Sequence, residues 1–118
     1  MSTPTPLAQT PAPPYWAVIF TRTLSGNSAG YATTADRMVE LAQRQPGYLG
    51  YESVSDADGT GITVSYWSER EHIAAWRADV EHTLARQRGR SEWYAAYRLR
   101  VARVEAATDF DGPPPASP

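Results

Sequence analysis

The stretch of sequence that decides the fold is GITVSYWSEREHIAAWRADVEHTLARQRGRSEWYAAY, residues Gly61–Tyr97. It opens with ITVSYW, in which apolar and polar residues alternate with the two-residue period of a half-buried β-strand. Ser68 and Glu71 follow with the spacing of a capping box, in which each side chain bonds to the backbone N–H of the other residue. The pattern therefore predicts a strand that ends at Trp67 and passes directly into a helix.

The remaining segments supply four more elements. Residues 15–23 and 48–55 have strand composition, and the turn residues DADGT at 56–60 predict a hairpin between the second strand and the one that opens at Ile62. A helical stripe of apolar residues covers 27–45 and stops before Pro46, because the residue before a proline is disfavoured in a helix. A last strand covers 94–105. The order β-α-β-β-α-β predicts an α+β, ferredoxin-like fold with a four-stranded antiparallel sheet and both helices on one face.

The first strand, YWAVIFTRT, is apolar on both of its faces. A strand that is buried on both sides needs two covers. The helices of the same chain provide one, and we expect the sheet of a second copy to provide the other. The sequence thus predicts a homodimer joined through the sheet face, as a dimeric α+β barrel.

The two ends of the chain differ in composition from its body. Residues 1–14, MSTPTPLAQTPAPP, hold five of the ten prolines, and residues 111–118 read DGPPPASP. Such segments bury too little apolar surface to fold, so we expect disordered ends around a folded domain at 15–110. As an alternative, these ends are proline-rich ligands for a partner domain.

Charge and composition exclude several classes of function. A formal charge of −2 and a pI near 5.6 give no electrostatic reason to bind nucleic acid or an anionic membrane. There is no run of about 20 apolar residues and no signal peptide, so we expect a cytoplasmic protein. The chain has no Cys and no Lys, which excludes thiol and Schiff-base chemistry, and its two His lie ten positions apart, which does not favour a metal centre.

Candidate site residues gather around Trp67. Thr63 and Ser65 share its strand face, and they are unusual choices for a dry core, so we expect a cavity with a polar floor that Trp67 lines. The alternative is that Trp67 belongs to the core. Trp76, on the following helix, packs on the sheet or closes one end of the cavity.

Only one side chain is a good general base. His82 has a reference pKa of about 6.5, but in an unbroken helix it lies about 240° around the axis from Trp76. It reaches the cavity only if the helix breaks between them, and the alternative is a surface histidine paired with Asp79. Three aromatic residues where the chain re-enters the sheet can orient a ligand or serve barrel and dimer packing: Trp93, Tyr94 and Tyr97.

The segments PGYLGYES, GITVSYW, the helix of Trp76 and GRSEWYAAYRLRVARVE resemble, as an ordered set, the antibiotic biosynthesis monooxygenase family of the dimeric α+β barrel superfamily. The resemblance covers Tyr15–Ala106 and is greatest to uncharacterised bacterial members. It implies a homodimer that oxygenates a small aromatic or polyketide-like substrate without metal, flavin or nicotinamide. The implied pocket lies between sheet and helices, where Trp67 and Trp76 hold the ring, His82 or a tyrosine hydroxyl takes a proton, and O₂ attacks the carbanion.

Two other functions remain as alternatives on the same fold: a non-catalytic dimeric binding or stress-response module, and an isomerase or cyclase. Haem degradation is not favoured. Haem-degrading members of the superfamily carry an Asn on the first strand and a haem-ligating His ten positions after the tryptophan that corresponds to Trp76. Here those positions hold Thr21 or Arg22 and Arg86.

Overall fold

The structure, a computed structural model, describes residues 6–26, 29–87 and 93–112, although the side chains of 82–87 lie outside the described part. Six elements follow in the predicted β-α-β-β-α-β order: β1 Tyr15–Leu24, α1 Tyr31–Gln43, β2 Tyr48–Ser55, β3 Thr60–Trp67, α2 Arg70–Gln87 and β4 Tyr94–Val104. The four strands form one antiparallel sheet in the order β2-β3-β1-β4. The predicted ferredoxin-like α+β fold is confirmed.

The first and last residues of β2 are those predicted from the sequence, whereas the limits of the other elements differ from the prediction by a few residues. Helix α1 begins after Gly30, and β3 begins at Thr60, ahead of the predicted Ile62. The hairpin turn closes through the Asp56 N–H, which donates to the Thr60 carbonyl at 2.8 Å. This bond pairs the residues on the two sides of the turn, so β3 begins two residues earlier than predicted.

The main core lies between the sheet and the helices. Val18 and Trp67 are 1% and 0% exposed, and they pack with Ala42 of α1 and Ile73 of α2. The register places Val18 between Ser65 of β3 and Val101 of β4, so all of these residues share the helix-facing side of the sheet. Strand alternation therefore fixes which residues can contribute to a site in this layer.

The opposite side of the sheet, called the open face below, has no helix on it. The residues of the open face include Glu52 and Val54 on β2, Ile62, Val64 and Tyr66 on β3, and Tyr15, Ala17, Ile19 and Thr21 on β1. Tyr15 and Ala17 are each only 5% exposed, whereas Ile62 is 43% and Val54 is 69% exposed. One end of the open face is thus covered within a single chain, and the other end is bare.

The cover at the Tyr15 end is the N-terminal segment of the same chain. Residues 6–14 form neither helix nor strand, yet the Ala8 N–H donates to Glu52 Oε2 at 3.0 Å and the Thr10 hydroxyl donates to the Tyr15 hydroxyl at 3.0 Å. The second apolar face of β1 therefore does not require a partner subunit at this end, contrary to our expectation from the sequence. The predicted domain limits at 15 and 110 stay a prediction.

Within the described residues, neither helix combines the length and the hydrophobicity that crossing a membrane demands.

Candidate functional site

Two groups of aromatic rings lie in the layer between sheet and helices. The tryptophan cluster comprises Trp16, Tyr48, Trp67 and Trp76, around the buried residues Val18 and Ile73. The tyrosine cluster comprises Phe20, Tyr31, Trp93, Tyr94 and Tyr97. The predicted site residues divide between these clusters and the polar strand face that lies beside them.

Trp67 is the centre of the tryptophan cluster. Its ring centroid lies 5.5 Å from those of Tyr48 and Trp76, and none of its surface is exposed. Its indole N–H donates to the Ser65 hydroxyl at 2.9 Å, so its one polar group is already satisfied. The structure places Trp67 in the core, which is the alternative that the sequence left open. A catalytic role for Trp67 stays a prediction.

Thr63 and Ser65 lie on the same helix-facing strand face as Trp67, as predicted. Ser65 is buried and accepts the Trp67 indole N–H, while the Thr63 hydroxyl lies 2.7 Å from the hydroxyl of Ser53 on β2. These partners explain why two small polar residues are tolerated beneath the helices, because buried polar groups need hydrogen bonds. Substrate binding by either residue stays a prediction.

Trp76 joins the two helices. Its indole N–H donates to the Met38 carbonyl of α1 at 3.1 Å, and its ring tilts by 38° against Trp67. The side chain is half-buried, so Trp76 is the member of this pair that has a surface left for contact. Its predicted role at one end of a cavity is compatible with this position.

His82 lies on α2, and its side chain is outside the described residues. The backbone of α2 is helical without a break from Arg70 to Gln87. The break that would have brought position 82 to the side of Trp76 is therefore absent, and the two backbone positions differ by about 240° around the axis. Asp79, the predicted alternative partner of His82, accepts a hydrogen bond from Gln45 Nε2 at 3.0 Å.

The tyrosine cluster brings together the three aromatic residues predicted at the start of β4. Trp93 is 4% exposed, and its indole N–H donates to the Ala29 carbonyl at 2.9 Å. Tyr94 packs edge-on against Tyr31 and Tyr97, with ring centroids 5.5 and 5.3 Å apart. Tyr97 is half-buried at the edge of the cluster, so the predicted grouping of Trp93, Tyr94 and Tyr97 is real.

The Tyr94 hydroxyl is the unusual group of this cluster. It is shut off from solvent and makes no hydrogen bond of regular geometry among the described residues, although the Tyr31 hydroxyl lies near enough to act on its pKa as a hydrogen-bonding neighbour. Burial, more than the neighbouring Tyr31 hydroxyl, raises the pKa of Tyr94 well above its ordinary value, and Arg22 opposes part of this rise. Tyr94 therefore stays protonated at neutral pH and has a donor O–H to offer. An unsatisfied buried hydroxyl costs stability, on the order of 1–3 kcal/mol.

Arg22 was not among the site residues predicted from the sequence, yet it borders the tyrosine cluster. Its Nε–H donates to the Tyr31 hydroxyl at 3.2 Å, and its guanidinium lies 5.2 Å from the centroid of the Tyr31 ring. It also donates to the Gly59 carbonyl. Among the described side chains, no carboxylate comes within ion-pair distance of this guanidinium. The available signal was strand alternation, which puts Arg22 on the same face as Val18 and Phe20.

A polar groove leads to Arg22 from the hairpin end of the sheet. Its volume is about 370 Å³, and it is lined by Arg22, Leu24, Ser25, Gly26 and residues 55–59. Arg22 thus separates an open groove on one side from the tyrosine cluster on the other. Arg22 therefore presents a positive charge to this groove, and the Tyr94 O–H is enclosed by the rings of the tyrosine cluster.

The described residues contain no group of three or more His, Asp or Glu side chains that could hold a metal ion.

Comparison with known proteins identifies the family. The sequence profile described as "Antibiotic biosynthesis monooxygenase" matches residues 14–88. The uncharacterized protein YqjZ of Bacillus subtilis is 56% identical over 99 residues, which cover 84% of this chain and 87% of YqjZ. The match includes most of the described fold, and it agrees with the resemblance seen in the sequence.

More distant similarities point the same way. The jasmonate monooxygenase of Pyricularia oryzae is 29% identical over 96 residues, covering 78% of this chain but only 44% of that enzyme. The crystal structure of SnoaB, a cofactor-independent oxygenase from Streptomyces nogalater, shares the fold with a TM-score of 0.63 at 12% identity, covering 85% of this chain and all of SnoaB. This chain belongs to the antibiotic biosynthesis monooxygenase family.

Proposed function

We propose that this protein is a cofactor-independent monooxygenase that acts on a small aromatic or polyketide-like substrate between the sheet and the helices. Family membership supports the coarse class. The observation that carries the proposal is the buried hydroxyl of Tyr94, which makes no hydrogen bond of regular geometry among the described residues and is linked to the Arg22 charge through the Tyr31 hydroxyl. A buried donor without a partner is costly, and binding of a substrate oxygen would remove that cost.

The substrate would bind by its rings and by one oxygen. Aromatic rings that meet edge to face contribute about 0.5–1.5 kcal/mol per pair beyond their buried area, so the tyrosine cluster suits a flat aromatic molecule. The substrate oxygen would accept from the Tyr94 hydroxyl and lie near the Arg22 guanidinium. Tyr97, half-buried at the edge of the cluster, is the ring that would move to admit the substrate.

The raised pKa of Tyr94 favours a role as a hydrogen-bond donor over a role as a base. A phenol whose pKa lies far above neutrality is a poor base, so the predicted proton removal by a tyrosine hydroxyl does not fit Tyr94. Tyr94 would instead donate to the substrate oxygen on which negative charge develops, and Arg22 would favour the ionised form of the substrate. Proton removal by His82 stays a prediction.

The reaction balances without an added reductant. The substrate loses a proton from an activated CH₂ group, and the carbanion transfers one electron to O₂. The resulting radical pair combines into a peroxide, which loses water and leaves a carbonyl. The CH₂ group becomes C=O, one oxygen atom of O₂ stays in the product, and the other leaves as water with the two substrate hydrogens. The protein holds the anion and excludes water from it.

The protein would act as a homodimer joined through the bare end of the open face. Ile62 and Val54 are paired neighbours there and are the large apolar side chains of the sheet that remain exposed. A cytoplasmic location stays a prediction from the sequence.

A second candidate function is a non-catalytic binding module. The complete burial of Trp67 favours it, because Trp67 was predicted to line the site and instead has its polar group satisfied within the core. An isomerase or cyclase would use the same anion stabilisation without consuming O₂.

Oxygen uptake distinguishes these functions. Purified protein is incubated with anthrone-type substrates that carry an acidic CH₂ group, and O₂ is followed with an electrode. We expect uptake above the protein-free rate, and we expect Arg22→Gln and Tyr94→Phe to reduce it by about tenfold or more, as for the loss of one oxyanion donor. Arg37→Gln on the exposed side of α1 and Tyr51→Phe on β2, both outside the tyrosine cluster and the open face, are the matched controls. Substrate binding with no uptake in the wild-type protein would favour the binding module.

A further inference from the structure

The N-terminal segment at 6–14 makes specific contacts although its composition predicts none. The Ala8 N–H and the Thr10 hydroxyl each donate to a residue of the open face, Glu52 and Tyr15 respectively. Ala8 and Glu52 are 44 residues apart in sequence, so this contact belongs to the tertiary fold and not to a local turn.

Glu52 is shared between this segment and the sheet. Its Oε2 accepts from Ala8, and its Oε1 accepts from the Tyr66 hydroxyl at 2.5 Å. Burial, with the Glu52 hydrogen bond as the next cause, raises the pKa of Tyr66, so Tyr66 remains a donor. Tyr66 also packs edge-on against Tyr15 at 5.9 Å. Glu52, Tyr66 and Tyr15 therefore form a continuous surface beneath residues 6–14.

The sheet also leaves room for the segment. Gly50 has φ of +146°, and a Cβ placed there would stand 3.3 Å from the Cβ of Ala8. A larger residue at position 50 would be strained and would push the segment outwards. The exposure of the open face differs between its two ends. Tyr15 and Ala17, at the end that the segment covers, are 5% exposed, whereas Ile62 at the other end is 43% exposed.

We propose that residues 6–14 act as a strap, which occupies the Tyr15 end of the open face and confines the docking of a second copy of the chain to the Ile62 end. The strap lies on the chain to which it belongs. It gives the second oxygen of the Glu52 carboxylate a donor, so Glu52 is paired within its own chain.

Charge complementarity identifies the second copy as the occupant of the bare end. The β4 side of the open face carries the exposed arginines Arg98 and Arg100, and the exposed Asp56 lies just beyond the end of β2 on the other side. A two-fold axis parallel to the strands brings β4 of one copy over β2 of the other. Unlike charges then face each other around the apolar pair Ile62 and Val54.

The chain contains no cysteine, so a single introduced cysteine can carry a nitroxide label. The nitroxide is attached to Gln9→Cys, and it broadens the NMR signals of amides that lie near it. In a chain that carries both the label and the isotope enrichment, the amide signals of Gly50 and Tyr66 should therefore broaden. They should be clearly less broadened when labelled, unenriched chains are mixed with enriched, unlabelled ones, because the label is then on the opposite copy. Broadening in the mixed sample that equals or exceeds that of the labelled and enriched chain would show that the segment crosses to the partner, and it would overturn the proposal, as would sharp signals in both samples.

Variants of the labelled chain test the hydrogen bond that holds the strap. Ala8→Pro removes the N–H donor to Glu52, and we expect it to restore at least half of the lost signal intensity at Gly50. Ala8→Ser keeps the N–H and should leave the broadening in place. Equal broadening in both variants would contradict the role assigned to Ala8 and Glu52.

Sedimentation equilibrium then locates the docking surface. Ile62→Glu should weaken self-association by about tenfold or more, because it places an unpaired charge in the interface, whereas Ala8→Pro should change the dissociation constant by less than about threefold. The reverse pattern would place the second copy at the strap end and overturn the proposal. So would a wild-type chain that stays monomeric at a concentration of about 100 μM.

Discussion

The Arg22 guanidinium lies directly over Gly61 of the neighbouring strand. A Cβ at position 61 would stand 2.7 Å from Arg22 Cζ, 2.8 Å from Nη2 and 2.9 Å from Nη1. The two residues are paired in the register of β1 and β3, so the arginine occupies the space that the glycine leaves. Gly61 thus holds a charged group between the tyrosine cluster and the polar groove.

Gly61→Ala should displace Arg22 without altering its charge. We expect a change of less than about 1 kcal/mol in the free energy of unfolding, because the clashing atoms are the end of a flexible side chain that can move, together with reduced O₂ uptake. Urea unfolding and the oxygen electrode measure the two effects. Gly26→Ala is the control, because a Cβ at Gly26 meets nothing within 4 Å. Equal effects of the two substitutions would show that the contact between Arg22 and Gly61 is not important.

Tyr94→Phe should lower O₂ uptake without lowering the stability of the fold. The substitution removes a buried hydroxyl that makes no hydrogen bond of regular geometry among the described residues, so the free energy of unfolding should stay the same or rise by about 1 kcal/mol. Oxygen uptake should fall at the same time. A loss of stability larger than about 1 kcal/mol would show that the hydroxyl is satisfied in solution and would remove the argument for its role.

Trp67→Phe should act mainly on stability. The change leaves a cavity beneath Tyr48 and Trp76 and removes the donor to Ser65, so we expect about 2–4 kcal/mol less stability. The measurement is chemical denaturation followed by the remaining tryptophan fluorescence. Activity per folded molecule, measured well below the unfolding midpoint, tells whether Trp67 has a catalytic role as well. A substitution with no cost in stability would contradict the core position.

Tyrosine ionisation should destabilise the fold at high pH. Burial, with a smaller effect of Tyr51, raises the pKa of Tyr48 from 10.0 to about 12. Below pH 10 both folded and unfolded states keep this proton, so stability is unaffected. Between pH 10 and 12 the unfolded state loses the proton first, so the free energy of unfolding falls as pH rises. Urea unfolding at several pH values measures the slope, and Tyr48→Phe should make it shallower. An unchanged slope would contradict the assignment.

The fold was readable from the sequence because its signals are local. The alternation in ITVSYW and the turn residues at 56–60 specify β3 and its hairpin without any knowledge of distant contacts. The doubly apolar pattern of β1 correctly indicated burial of both faces. It could not identify the cover at the Tyr15 end, because the contact between Ala8 and Glu52 joins segments far apart in sequence.

The site could be predicted only in part, because some of its residues come from elements that are far apart in sequence. Trp93, Tyr94 and Tyr97 could be grouped because they lie close together in sequence, at and just before the start of β4. Arg22 and Tyr31 join them from β1 and α1, and their contact depends on the vacant space over Gly61, which becomes visible only when the strand register is known. The missing partner of the Tyr94 hydroxyl is likewise a property of the packed layer.

The central claim is that the protein inserts one atom of O₂ into a substrate that it holds as an anion. The most direct test is mass spectrometry of the product formed from an anthrone-type substrate under ¹⁸O₂, with wild-type protein and with Arg22→Gln. We expect one ¹⁸O atom in each molecule of product, formed faster than in protein-free solution, and a loss of that acceleration in Arg22→Gln. Product formed at the protein-free rate, or carrying oxygen from water alone, would contradict it.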